Sequence, residues 1–185
     1  MRLAFLAAIL ASLMLISCNN EPSLQKYYVT HSENKDFVTL DVSSSIIDVN
    51  KAKLSPEQKE ALASFDKMNI LAFKSTKENQ KAYAEESEKV SHILKGKDYQ
   101  ELMKIGAGKD AASVSYVGDE NNINEFVLFA KKKEAGFAVV RILGKDMNPN
   151  NIMNMLALLK SANIDSAQLA PLQGLLNNDN KQPSK

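Results

Sequence analysis

Three spacings in this sequence could support nucleophilic chemistry at a serine. Ser64-Phe65-Asp66-Lys67 matches S-x-x-K, in which a lysine activates a serine hydroxyl for attack on an amide or ester. The same spacing occurs in residues 23–26 and 32–35, and neither companion motif, S-D-N or K-T-G, is present. Repeated matches in a short lysine-rich chain are expected by chance. A hydrolase is therefore the least favoured of the functions that we consider.

A glycine-rich segment could bind phosphate. Residues 106–111, GAGKDA, contain G-x-G-x-x-A and a Gly-Lys pair, both of which occur in nucleotide-binding loops. No Ser or Thr follows Lys109, and Ala111 begins an apolar run that indicates a strand where such a loop requires a helix. The glycines therefore predict a hairpin turn.

Metal and acid–base sites have little support. His31 and His92 are the only histidines, and their spacing is not that of zinc ligands. Glu85, Glu86 and Glu88 point in different directions around a helix, which predicts a solvated helix face and not a pair of catalytic carboxylates.

Two further clusters favour structural roles. Met147, Met153 and Met155 could bind Cu(I), but thioethers more often fill gaps in a core. The run Lys131-Lys132-Lys133 could contact anionic head groups, but it is more typical of a soluble turn. We therefore expect no cofactor, no metal site and no catalytic residue, and the protein is not expected to be an enzyme.

Cys18 is the side chain to which the sequence assigns a chemistry. It follows an apolar run at residues 3–16, which is shorter than the ~20 residues that span a bilayer and is typical of a secretory signal peptide. Leu15-Ile16-Ser17-Cys18 resembles the lipobox of bacterial lipoproteins. The resemblance implies diacylglycerol on the Cys18 thiol and cleavage between Ser17 and Cys18. Two or three acyl chains would then anchor the protein durably to a membrane.

The residues after Cys18 indicate which membrane this is. In lipoproteins, an Asp directly after the lipidated Cys retains the protein in the inner membrane, and this chain has Asn19 there. Surface export is associated with several acidic residues, whereas residues 19–22 contain only Glu21. The similarity to lipoproteins therefore implies the outer membrane and its periplasmic face.

Composition argues against nucleic-acid binding and against an internal disulfide. The chain has 185 residues, with 23 Lys and Arg against 22 Asp and Glu, and loss of Arg2 with the signal peptide leaves no net charge. Binding to nucleic acid is not expected, because neutralising phosphates requires a basic excess. A single Cys also excludes an internal disulfide.

Hydrophobic periodicity predicts six strands and three helices. An N-terminal capping box at Ser55-Pro56-Glu57-Gln58 begins the first helix, and Ala61, Leu62, Phe65 and Met68 follow at helical spacing. The second helix is expected from Ser75 to Gly96, and the third after Asn148-Pro149. The strands are expected at residues 38–42, 68–74, 99–105, 111–117, 125–130 and 137–143. In the run 99–105, Leu102, Met103 and Ile105 could equally lie on a helical turn.

This order of elements predicts the fold class. It is an α+β fold with a mixed, largely antiparallel sheet of about six strands and two or three helices on one face. The first strand–helix–strand unit could be a right-handed parallel crossover.

The predicted organisation is a single domain on a tether. Residues 1–17 form the lipoprotein signal peptide, and residues 18–35 form the lipidated Cys and a tether with few aliphatic side chains. Within this tether, Tyr27, Tyr28 and Val29 could begin a strand or pack on the domain. Residues 36–176 form the α+β domain, and residues 177–185 form a disordered tail.

The core pattern is that of a known family. The segments 125–129, EFVLF, and 136–146, GFAVVRILGKD, together with Cys18 and the capped helices, resemble the small Bacteroidetes lipoproteins grouped as domain of unknown function 4252. The similarity extends from about Phe37 to Leu159 and implies a single envelope domain after a lipobox. It assigns no catalytic or binding residues.

The function expected first is that of a non-catalytic, lipid-anchored module that binds an envelope protein through a sheet edge or through the methionine-containing last helix. The alternative is a periplasmic carrier of a small apolar ligand, and an envelope hydrolase comes third. An exposed apolar patch would favour the first, a deep apolar cavity the second, and a serine beside a buried lysine the third.

Overall fold

The computed structural model describes residues 21–46, 54–108, 110–120 and 122–150. The helices are α1 (Leu24–His31), α2 (Pro56–Ser64) and α3 (Gln80–Ile93), and a 3-10 turn covers Ser44–Ile46. The strands are β1 (Phe37–Ser43), β2 (Phe65–Lys74), β3 (Gln100–Ala107), β4 (Asp110–Asp119), β5 (Asn122–Lys132) and β6 (Gly136–Met147).

The six strands form one antiparallel sheet in the order β1-β2-β6-β5-β4-β3. The α+β class and the six strands are confirmed. The parallel crossover is wrong, because β1 and β2 are antiparallel neighbours, with Phe37 opposite Phe73 and Ser43 opposite Lys67. The chain leaves β1 and enters β2 at the same end of the sheet. The connection that contains α2 therefore returns to that end and does not cross the sheet.

Strand alternation divides the core between the two faces of the sheet. The first face carries Leu71 and Phe73 of β2 and packs against α1 and α3 through residues such as Val90. The second face carries Met68 and Ile70 of β2 together with a second set of buried residues, and Leu62 of α2 packs against it. Two helices therefore cover the first face, and α2 packs at the second.

The N-terminal helix α1 lies where the sequence predicted a tether. Leu24 is 1% exposed and Tyr27 is also buried, and both belong to the first-face core. Ser23 caps the helix by accepting a hydrogen bond from the Lys26 backbone N–H. The tether prediction is therefore wrong for Leu24–His31. The segment has few aliphatic residues, but Leu24 and Tyr27 are three apart and share one helix face.

Two predicted helix boundaries differ from the structure. The capping box at Ser55 and Gln58 is confirmed, since both of its hydrogen bonds form. The helix ends at Ser64, however, and Phe65 and Met68 belong to β2. The next helix begins at Gln80 and not near Ser75, because the Asn79 side chain accepts a hydrogen bond from the Thr76 N–H and holds residues 75–79 in a turn.

Several predicted segments lie outside the described residues. They are the signal peptide with Ser17 and Cys18, most of the last predicted helix, and the C-terminal tail. Pro149 and Asn150 are helical, as expected for the first residues of that helix.

Candidate functional site: an exposed edge strand

Strand β3 is an edge of the sheet, and it is exposed along its whole length. All eight of its residues are exposed, and among the described residues β3 is hydrogen-bonded only to β4, on one side. Leu102, Met103 and Ile105 are 42%, 46% and 62% exposed. The only other large hydrophobic residue that is exposed in the described ranges is Val29 on α1. Exposed apolar residues are therefore concentrated on one strand.

A bulge in β3 sets the direction of these side chains. Glu101 lies opposite Ser115 and Met103 lies opposite Val114, so that Leu102 is an extra residue in the strand. After the bulge, Met103 and Ile105 fall on the second face. There they line a shallow groove of about 120 Å³ with Val114 and Leu128. The edge strand thus has an apolar surface beside it.

The opposite edge of the sheet, β1, is partly covered. The Tyr28 hydroxyl of α1 lies 3.4 Å from the carbonyl of Leu40 and 3.0 Å from that of Ile70, and it also hydrogen-bonds to Asp41. Burial, and then the charge of Asp41, raise the pKa of Tyr28, so the hydroxyl remains a donor. Asn69 in turn donates a hydrogen bond to Asp41. Side chains from α1 and β2 therefore hydrogen-bond to the Leu40 carbonyl and the Asp41 carboxylate of β1.

A buried ion pair fixes α1 to the sheet. Arg141 donates from Nε to Glu125 Oε1 at 2.8 Å and from Nη2 to Oε2 at 2.9 Å, in a two-bond arrangement. Its Nη1 donates to the Gln25 side-chain oxygen on α1 at 2.7 Å. Burial alone would lower the pKa of Arg141, but Glu125 outweighs it and the pKa is raised. The guanidinium thus joins β5, β6 and α1.

A second polar cluster joins α1 to α3 at Glu86. Tyr27 donates a hydrogen bond to Glu86 Oε2 at 2.7 Å, and His31 Nε2 lies 3.2 Å from the same oxygen. Lys89 Nζ lies 2.7 Å from Oε1. His31 Nδ1 lies 2.7 Å from the carbonyl of Tyr27, and because a carbonyl can only accept, Nδ1 carries a proton.

The environment of Glu86 lowers the pKa of its carboxyl group. Burial acts in the opposite direction, but hydrogen bonds from Lys89 and Tyr27 and the charge of His31 outweigh it. Burial, together with the hydrogen bond to Glu86, raises the pKa of Tyr27. The prediction that Glu86 lies on a solvated face is therefore wrong, because this side chain is only 14% exposed.

The serine and glycine motifs have structural roles. The Ser64 hydroxyl donates to the carbonyl of Ala61 at 2.9 Å, and Lys67 is exposed on β2, so the two do not form a buried nucleophile and base. Gly106 and Gly108 have positive φ angles of 73° and 67° at the β3–β4 hairpin, where a turn was predicted. A Cβ on Gly106 would lie 2.5 Å from the carbonyl oxygen of Asp110.

The remaining sequence candidates are dispersed. Met147 is buried in the second-face core, whereas Met153 and Met155 lie outside the described residues. Lys131 and Lys132 end β5, and Lys133 follows them in the turn before β6. Among the residues that the structure describes, no three or more His, Cys, Asp or Glu side chains form a group that could hold a metal ion. Within the same ranges, no helix is long and apolar enough to cross a membrane.

Comparison with known proteins assigns the chain to a family. Residues 27–155 match the family described as Domain of unknown function (DUF4252). The chain belongs to this family. No curated protein and no solved structure matches the chain.

The DUF4252 match includes most of α1 and the whole sheet, with both the exposed strand β3 and the Glu86 cluster. Sequence reasoning did not identify β3 as the exposed edge, although one signal was present. Adjacent Leu102 and Met103 interrupt the alternation expected of a strand, which is typical of a bulge at an edge.

Proposed function

We propose that this protein is a non-catalytic, lipid-anchored envelope protein whose domain binds a protein partner by strand addition to β3. The observation that carries the proposal is the exposure of Leu102, Met103 and Ile105 on an edge strand. In this kind of recognition, main-chain hydrogen bonds to the edge provide affinity, and pockets for alternate side chains provide specificity.

The apolar groove beside β3 suits this role. A strand added to β3 would place alternate side chains over the second face, next to the groove lined by Val114 and Leu128. Complete burial of an exposed Ile or Met side chain contributes about 1.5–3 kcal/mol. Natural edge strands are usually protected by charges or by a cover, and on β3 Lys104 is the only cation.

The carrier alternative requires a larger apolar enclosure than the groove beside β3. Ligand pockets for small molecules typically have volumes of about 300–1,000 Å³, whereas the apolar groove at Met103 and Ile105 measures about 120 Å³. The dimensions of this groove favour contact with a strand over enclosure of a ligand.

On this proposal, Cys18 carries the acyl chains at the periplasmic face of the outer membrane. Since α1 begins at Leu24, five residues connect it to Cys18, and the six steps from Cys18 to Leu24, at about 3.4 Å each, reach at most about 20 Å. The domain would then stay close to the bilayer, and its partner would be a protein of the envelope.

Crosslinking in cells tests the proposed contact. A photoreactive amino acid is placed at Ile105 in the full-length protein and, as the control, at Val29 on α1, which is equally exposed at 62%. We expect a discrete crosslinked species from position 105 and none from position 29. A second variant, Met103→Lys, should abolish the crosslink from position 105. Equal crosslinking from both positions, or no effect of Met103→Lys, would contradict strand addition at β3.

A further inference from the structure

A groove lies on the first face of the sheet, where α3 leaves strands β4 and β3 uncovered. It consists of two adjoining depressions of about 210 Å³ and 660 Å³. The residues that line both depressions are Ser91, Lys95, Gly108 and Lys131. The groove is on the opposite face of the sheet from the apolar groove beside Met103 and Ile105.

Positive charge converges on this groove from three elements. Lys95 follows α3, Lys104 is on β3 and Lys131 is on β5, and all three line the smaller depression together with one carboxylate, Glu101. Within the part of the chain that the structure describes, none of the three lysine ammonium groups lies within 4 Å of a carboxylate. Lys81 and Lys133 line the larger depression, where Glu88 is the only acidic residue. Lys81 pairs with Glu85, so the positive charge of the groove that has no ion-pair partner among the described residues includes that of Lys95, Lys104 and Lys131.

The floor of the smaller depression supplies hydroxyl groups. Ser113 and Ser115 of β4 lie opposite Phe129 and Val127, which places both serines on the first face. Ser115 is only 3% exposed, and its hydroxyl has no hydrogen-bond partner among the described residues. No fully buried polar side-chain atom in those residues lacks a partner, so the part of Ser115 that remains accessible is the hydroxyl.

An unpaired hydroxyl in this position contributes no internal hydrogen bond to the fold. Burying a polar group without a hydrogen bond opposes stability, and alanine would fit the same space. A free donor at the floor of a lysine-lined groove is suited to an anion, because the hydroxyl can donate while the ammonium groups neutralise the charge. Leu94 and Phe129 provide apolar contact for the carbon skeleton of such a ligand.

We propose that this groove binds the oxyanion group, phosphate or carboxylate, of a small molecule. Lys95, Lys104 and Lys131 provide the charge, and Ser113 and Ser115 donate hydrogen bonds from the floor. This site uses the Lys104 side chain of β3 and shares Ser113 and Phe129 with the apolar groove. Strand addition uses the outward-facing backbone of β3 instead, so either proposal can fail without the other.

A titration with matched lysine variants tests the charge requirement. Full-length acylated protein in a neutral detergent is titrated at constant ionic strength with inorganic phosphate and, separately, with butyrate, and binding is followed by calorimetry. Lys131→Gln should weaken binding about tenfold, as expected for loss of one charge-assisted hydrogen bond. Lys132→Gln is the control, because Lys132 is adjacent in β5 but falls on the other face of the sheet, and it should change affinity less than twofold.

The variant Ser115→Ala separates binding from folding. Because the hydroxyl has no internal partner, the free energy of unfolding should be unchanged or slightly higher. Affinity for phosphate or butyrate should nevertheless fall several-fold. A loss of stability together with unchanged affinity would overturn the role of Ser115 as a donor to a ligand.

A third set of probes identifies the source of the anion. Soluble dihexanoyl phosphatidylglycerol is compared with inorganic phosphate, and zwitterionic dihexanoyl phosphatidylcholine serves as the reference. Binding of the anionic lipid that depends on Lys131, without binding of phosphate or butyrate, would assign the site to a lipid head group. Binding of phosphate or butyrate would assign it to a soluble metabolite. If none of these anions binds, or if Lys131→Gln and Lys132→Gln weaken binding equally, the groove is not an anion site.

Discussion

At the residue scale, Glu86 shows how one buried carboxylate organises its neighbours. Tyr27, His31 and Lys89 all lie within hydrogen-bonding or ion-pairing distance of its two oxygens. The helical sequence around Glu86 does not distinguish it from Glu85 and Glu88, because the partners on α1 come from a segment more than fifty residues earlier. Periodicity cannot reveal such a contact, since it depends on how α1 docks.

The lowered pKa of Glu86 gives a pH-dependent contribution to stability. The carboxylate is favoured in the folded state, so its contribution is fully present above its ordinary pKa of 4.5 and is lost as the pH falls through the lowered value. At neutral pH, we expect Glu86→Gln to lower the free energy of unfolding by about 1–3 kcal/mol, because it removes a charged partner of buried groups. The difference from the wild type should shrink progressively below pH 4.5.

Denaturant unfolding followed by circular dichroism measures this difference. Glu85→Gln is the control, because Glu85 is 58% exposed in its pair with Lys81 and should contribute less than about 0.5 kcal/mol. A Glu86→Gln effect that stayed constant from neutral pH to strongly acidic pH would show that ionisation of Glu86 does not stabilise the fold.

At the element scale, α1 is part of the domain core. Leu24→Ala should destabilise the protein by about 2–5 kcal/mol, because it leaves a cavity at a buried site. Val29→Ala, on the exposed side of the same helix, should change stability by less than about 0.5 kcal/mol. The measurement is the unfolding midpoint at a fixed denaturant slope. Equal and small effects at both positions would mean that α1 behaves as a tether.

The strands were predicted more accurately than the connections between them. All six were located by alternation or by apolar runs. The segment FVLF at residues 126–129 is apolar on both faces, which is typical of a central strand, and it lies in β5 inside the sheet. The prediction that β1 and β2 are parallel was wrong. A strand–helix–strand order fits both a crossover connection and a connection that returns to the same end of the sheet. Sequence order cannot decide between them.

The sequence predicted the type of site, a sheet edge, but not the strand that forms it. A sheet edge was expected, but residues 99–105 were predicted only as a strand, with a helical turn as the alternative, since strand propensity gives no information on neighbours. The position of β3 at the end of the sheet follows from the hairpin chain β6-β5-β4-β3, which is a property of the assembled sheet. Ser113 and Ser115 were missed for the same reason. Alternation in β4 places them on one face of the sheet, but the groove that they line also depends on where α3 packs.

At the scale of the whole molecule, the proposed lipid anchor can be tested separately from the proposed contact at β3. Cys18→Ala should release the protein from membranes, because without acyl chains neither of the two signals needed for stable anchoring remains. Fractionation of cells and mass spectrometry of the mature N-terminus measure this. A Cys18→Ala protein that still fractionates with membranes, or a wild-type protein with an unmodified thiol, would contradict the lipid anchor while leaving the edge strand untouched.

Amide hydrogen exchange tests strand addition at β3 most directly, because the added strand would hydrogen-bond to backbone groups that face away from β4. Exchange in residues 100–107 is compared between the full-length protein in membrane fractions of its native cells and the same protein purified in neutral detergent. The account predicts that these amides are slowed in the native membrane and exchange faster after purification, while β5 and β6 stay equally protected in both. Exchange in β3 that is equally fast in the native membrane and in detergent would contradict it.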